Sequence, residues 1–192
     1  MSRRKILEIG HPVLRQRARE VARDELRSDA VQRLIDDMIE TTRAAHGAGL
    51  AANQVGETLR IAVAEVTEGN PRYPYKPPIP LTVIVNPTIE PLDEETAQIN
   101  EGCLSVPNLR GDVPRHLRIS LRYFDRGGVE HEELKSGLTA GTFQHEVDHL
   151  DGTLFVDRVT DPRTLATWAE FERFHREDFL ARAAAIVERF GS

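Results

Sequence analysis

His145 and His149 stand four residues apart, with Glu146 directly after the first. A helix puts residues at that spacing on one face. Two imidazoles so placed suit a divalent transition metal. The motif therefore constrains the chain twice: it requires a helix, predicted over 138–150 and stopped near Gly152. It also requires that helix to meet a distant segment, because a catalytic site of this kind has three protein ligands and one open position. Phe143, Val147 and Leu150 flank the motif, which favours a helix buried on one side over one carrying two surface histidines. Glu146 is rotated off the ligand pair yet stays near it. From there it can take a proton from water and pass it to a leaving group.

Several residues could complete the ligand set. A third histidine six positions after His149 would make one familiar pattern, but position 155 is Phe155. A downstream glutamate, Glu170 or Glu172, would make another, giving a metallopeptidase, although the residues around them do not fit its second motif. Cys103 is the third candidate. It sits in Asn100-Glu101-Gly102-Cys103-Leu104-Ser105, where the glycine lets backbone approach closely. A thiolate is a good ligand for iron or zinc, although a lone cysteine is commonly a small buried hydrophobe.

The remaining sequence predicts an α+β fold, with mixed or antiparallel sheets around the central metal-binding helix, an N-terminal covering helix and a C-terminal helix. Val31, Leu34, Ile35, Met38 and Ile39 recur at three and four residues, predicting a covering helix over 29–46 with Ser28 as N-cap and Gly47 as stop. Strands are expected over 59–66 and 81–85. Five prolines over 71–80 predict a loop between them. Alternation through Leu117, Ile119, Leu121 and Tyr123, then a turn at 125–128, predicts a hairpin returning over 129–134. The C-terminal helix is expected over 162–190, with Pro162 in its first turn. No composition shift marks a boundary, so 1–192 reads as a single catalytic domain. The net charge of −6 argues against a nucleic-acid site. One cysteine permits no intrachain disulfide and fits a reducing compartment. The basic start has no apolar signal core, and charges interrupt every apolar run before membrane-spanning length. A soluble, cytoplasmic protein is expected.

Three segments together resemble the peptide deformylase family: Gly47-Ala48-Gly49-Leu50-Ala51-Ala52-Asn53-Gln54, Glu101-Gly102-Cys103-Leu104-Ser105, and His145-Glu146-Val147-Asp148-His149. The opening, through His11-Pro12-Val13-Leu14-Arg15, is similar too. Ala48 is smaller than the aliphatic residue usual there, and the proline-rich loop is longer than in compact members.

The resemblance implies hydrolysis of the formyl amide on N-formylmethionyl peptides, releasing formate. It implies one divalent ion held by Cys103, His145 and His149, with ferrous iron native and zinc, nickel or cobalt compatible with the donor set. It implies Glu146 as proton carrier, and the Gln54 side chain with the Leu104 backbone N–H as oxyanion donors. Gly49, Ala48, Arg110 and Leu138 are implied as substrate contacts, Arg110 being equally readable as a solvated charge. Asp148 is a candidate to orient a ligand histidine, and Glu101 to make a structural bond or line the pocket. Some relatives dock on the ribosome through a basic tail. Here five arginines from Arg163 onward meet five acids, so at most a weak, transient ribosome association carries over. The rivals are the metallopeptidase already described and a non-catalytic relative that binds N-termini; the latter should lack Glu146.

Overall fold

The computed structural model describes residues 2–192. Its helices and strands run in the order α1 (Arg23–Leu26), α2 (Asp29–Ala44), β1 (Gly49–Ala51), β2 (Ile61–Val66), β3 (Ile79–Pro91), β4 (Thr96–Cys103), β5 (Val106–His116), β6 (Arg118–Phe124), β7 (Glu130–Ser136), α3 (Gly137–Leu150), α4 (Phe155–Arg158), α5 (Trp168–Phe174) and α6 (Arg176–Phe190). Five strands form one sheet in the order β1-β2-β3-β6-β7, and β4 pairs with β5 in a second. Every strand pairing is antiparallel.

Strand β2 explains how the large sheet comes to lie between two helices. Its run Ile61-Ala62-Val63-Ala64 is apolar throughout, and successive side chains point to opposite faces. Ile61 and Val63 join Val31, Leu34, Ile35, Met38 and Ile39 of α2. Ala62 and Ala64 join Ala140, Phe143, Val147 and Leu150 of α3. The small alanines leave room for α3; the branched residues meet the covering helix. Ile35 and Met38 are fully buried, and each stabilises the fold by about 1.5–3 kcal/mol relative to exposure.

The covering helix begins as expected: Ser28 Oγ accepts from the Val31 N–H at 3.3 Å. It stops at Ala44, two residues early, and His46 turns left-handed at φ 51. The predicted hairpin forms as β6 and β7, with Ile119, Leu121 and Tyr123 buried. At its turn Asp125 Oδ1 accepts from the N–H groups of Gly127 and Val129.

Two expectations are corrected. Strand β3 begins at Ile79, so Pro80 lies inside it, and it runs on to Pro91 past a register shift between Val85 and Thr88. Bulges tolerate a residue such as Pro87, which has no N–H to give. The C-terminal segment is not one helix over 162–190. A 3-10 turn at Pro162–Thr164 is followed by α5, a break at His175, and α6. The Ala166 N–H donates to the Arg110 carbonyl at 2.9 Å, and the Arg110 N–H returns to Ala166 at 2.8 Å. That bridge to β5 draws the backbone out of helix. Thr167 then caps α5, accepting from the Glu170 N–H. Beyond the break, Phe179 and Ala183 bury against Ile99 and Leu138. Among the described residues no helix is long and apolar enough to cross a membrane.

Candidate metal centre

Helix α3 presents His145 and His149 with ring centroids 4.9 Å apart. The third donor arrives on the hairpin of β4 and β5. Cys103 pairs with Val106 across a two-residue connection, Leu104-Ser105, so the thiol stands at the hairpin's tip, buried against α3. One ligand atom from each of Cys103, His145 and His149 lies within 4.8 Å of the other two. Cys103 Sγ is 3.2 Å from His149 Nε2. A single ion with bonds of about 2.0–2.3 Å holds tetrahedral donors roughly 3.5 Å apart, which this set can meet with small movements. One further atom points the same way: Glu146 Oε2 is buried without a hydrogen-bond partner. Such groups are costly unless something else satisfies them. The residues fit a metal ion. Glu170 and Glu172 lie on α5, exposed and outside the cluster, so they are not its third ligand.

The buried groups stabilise one another's charged forms. Burial works against the Cys103 thiolate, but the imidazoles of His149 and His145 outweigh it and hold the thiol well below its usual range. Burial likewise opposes the His145 imidazolium, yet Cys103 and Glu101 raise it well above its ordinary value. Glu101 is buried, and its Oε2 lies 2.7 Å from His145 Nδ1. Its carboxylate also accepts from Arg115 at 2.7 and 3.0 Å. Burial raises the Glu101 carboxyl, but Arg115 and His145 prevail and keep it far below the usual carboxylate range. This bond fixes which histidine nitrogen faces the cluster: with Nδ1 committed to Glu101, Nε2 is free to coordinate. Glu146 differs. Desolvation pushes its carboxyl up, the direction that favours holding a proton.

The role foreseen for Asp148 is corrected. Its carboxylate accepts from Arg115 at 2.6 Å and from Arg158 at 2.6 and 3.1 Å, not from a histidine. The orienting carboxylate is Glu101, which the spacing of the sequence could not reveal because it reaches His145 from another sheet. Asp148 instead anchors the guanidinium that anchors Glu101.

A pocket opens beside the cluster. It contains Ala48, Gly49, Gln54 and Glu146, with Leu138, Gly141 and Thr142 on α3. The backbone of Gly49 lies so close to Glu146 that an added Cβ would collide with its carboxylate. Gln54 Oε1 accepts from the Ala51 N–H at 2.8 Å, and Nε2 donates to Ser105 Oγ at 3.0 Å and faces Cys103 Sγ at 3.6 Å. Sequence reasoning missed the contribution of the proline-rich loop. Tyr73, Tyr75 and Lys76 all reach this pocket, and Lys76 Nζ donates to Thr142 Oγ1 at 2.8 Å. Burial depresses the Lys76 ammonium to about 8. The only hint was that a loop with so many prolines holds a fixed shape.

Arg110 is not a solvated charge, and it does not line this pocket. It is 1% exposed, bonded to Asn100 through Nε at 2.7 Å. Its guanidinium lies over the rings of Trp168 and Phe171 at 4.3 and 4.4 Å.

Comparison with known proteins agrees with this geometry. A family model described as polypeptide deformylase matches residues 3–164. A peptide deformylase of Leptospira biflexa is 45% identical over 159 residues, covering 83% of this chain and 89% of the relative. Peptide deformylase 1 of Prochlorococcus marinus is 39% identical over 192 residues, covering 100% of this chain and 94% of the relative. Among solved structures, a class I type b peptide deformylase of Acinetobacter baumannii with bound Met-Ala-Ser superposes with a TM-score of 0.79. It is 37% identical and covers 83% of this chain and 100% of that one. The peptide deformylase of Thermotoga maritima gives a TM-score of 0.73 at 37% identity, covering 84% of this chain and 100% of that one.

Proposed function

The chain belongs to the peptide deformylase family, and from that premise we propose that it is a metal-dependent hydrolase that releases formate from N-formylmethionyl peptides, using Cys103, His145 and His149 as ligands. The observation that carries this is the convergence of one thiol and two imidazoles beside the unpartnered Glu146 carboxylate. A divalent ion held there acidifies water and polarises a carbonyl. Ferrous iron is the native ion on this reading, and zinc, nickel and cobalt suit the same donors.

The chain's own residues do the rest. Glu146 takes the proton of the attacking water and returns it to the leaving amine, and burial, which raises its carboxyl above the ordinary value, favours its acceptance of that proton. Gln54 and the Leu104 N–H are the donors for the oxyanion. Gln54 is held by Ala51 and Ser105 with its amide nitrogen facing the cluster, and the hydrogen directed at Cys103 turns to the oxyanion as charge develops. Gly49 gives the substrate backbone an edge to lie against. Ala48 and Leu138 wall the pocket for the first side chain. Bonded to Asn100 and set outside that pocket, Arg110 acts through packing and not as a direct substrate contact. We further propose that 1–192 works as one catalytic unit.

The test is metal analysis of protein purified without oxygen, with formate release from formyl-Met-Ala-Ser assayed on the same sample. Stoichiometric metal with turnover, both lost in Cys103→Ala, is the expected result. Metal retained by that variant sinks the ligand assignment; peptide binding without formate release favours a non-catalytic N-terminus binder.

A further inference from the structure

A second cleft borders Cys103, and its walls include a segment outside the family-matched residues. It has a volume of about 400 Å³ and is formed by Arg72, Cys103, Leu104, Pro107, Asn108 and Trp168. Trp168 lies beyond the match to residues 3–164, at the start of α5. Its position is built, not incidental. Its N–H donates to Asn108 Oδ1 at 3.3 Å. Its ring lies so close to Gly102 that a Cβ there would meet Cζ2 at 3.3 Å. The ring is also engaged by two guanidinium groups, Arg110 at 4.3 Å and Arg72 at 5.0 Å.

The charge around this cleft is unbalanced. Arg72 is the one cation among the residues that form it, and no carboxylate lines it. Arg72 bonds the neutral Tyr73 Oη and pairs with no carboxylate among the described residues. Elsewhere the chain pairs its arginines freely, as in Arg43 with Glu65 or Arg189 with Glu95, and it carries a net charge of −6. A guanidinium left without an acid in an open cleft favours an anionic ligand.

We propose that Trp168 and Arg72 form an outer substrate subsite that selects formyl peptides carrying a carboxylate side chain two residues after the formylated one. The proposal rests on the formyl-peptide reading above. The first side chain fills the pocket beside Leu138, and the chain then leaves past Cys103 and Leu104 into this cleft. There Trp168 offers a rigid apolar face, and Arg72, held against it by stacking, offers a planar pair of donors matched to a carboxylate.

The test compares kcat/KM for formate release from formyl-Met-Ala-Asp-amide, formyl-Met-Ala-Ser-amide and formyl-Met-Ala-Lys-amide at low salt; the amide removes the terminal carboxylate. The metal-loaded wild type should prefer Asp over Lys by roughly tenfold, each exposed charge contributing about threefold, and salt should shrink the ratio. Arg72→Ala should bring the ratio below about threefold. A wild-type ratio near one, or a ratio unmoved in Arg72→Ala, overturns the proposal. A second measurement does not depend on turnover. Trp168 is the chain's single tryptophan, so titration with Met-Ala-Asp-amide should change its emission and saturate at lower concentration than Met-Ala-Lys-amide. No change with either peptide up to millimolar concentration also overturns it. If no peptide yields formate, the hydrolase reading falls, while the titration still decides the subsite.

Discussion

Replacing Glu101 with Gln tests a residue whose carboxylate is committed to Arg115 and His145. Glu101 Oε2 faces His145 Nδ1 at 2.7 Å, and the carboxylate accepts two bonds from Arg115. Hydrogen bonds to a charged group are worth about 1.5–3 kcal/mol, against about 0.5–1.5 for neutral ones. The amide keeps the volume and loses the charge, so the bond orienting His145 weakens by about 1–2 kcal/mol. That corresponds to roughly fivefold to thirtyfold weaker metal binding, which overlaps the usual range for a partner behind a ligand histidine. The fold should suffer less, because Asp148 still accepts from the Arg115 guanidinium at 2.6 Å and no buried charge is left wholly unpaired. The assay is competition against a chelator of known affinity, with thermal unfolding recorded on the same samples. Metal affinity within threefold of wild type would refute the reasoning; so would a loss of metal fully explained by unfolding.

Three further outcomes follow from the site. Glu146→Gln should retain metal yet lose about 10²–10⁴ in kcat, read from formate release and metal content together. Gly49→Ala should lower kcat by pushing the Glu146 carboxylate aside; the flexible end of that side chain can yield, so the melting temperature should shift little. Lys76 concerns pH. Its folded pKa, near 8, lies below the unfolded value, so between about 8 and 10.4 the unfolded chain binds more protons and stability rises with pH. Lys76→Met should therefore be more stable than wild type at pH 7, and the gap should close towards pH 10, as followed by denaturant unfolding.

The linear sequence was sufficient wherever the deciding contacts are local. A helical repeat fixes the face of α2 and places His145 beside His149 on α3, and strict alternation fixes the hairpin of β6 and β7. The three motifs that resemble the peptide deformylase family also lie open in the sequence, and they named the cluster's residues. It could not show the hairpin of β4 and β5. There the buried positions include Asn100, Glu101, Arg110 and Arg115, polar residues that burial tolerates only because each finds its partner across the fold. The same blindness gave Asp148 the task that Glu101 performs. It also drew one C-terminal helix where a two-way backbone bridge from Arg110 to Ala166 breaks it. Periodicity reports which way a side chain faces along its own element. Which charge meets which, and which loop leans over the pocket, is set by contacts between residues tens of positions apart, and those exist only once the chain has closed on itself.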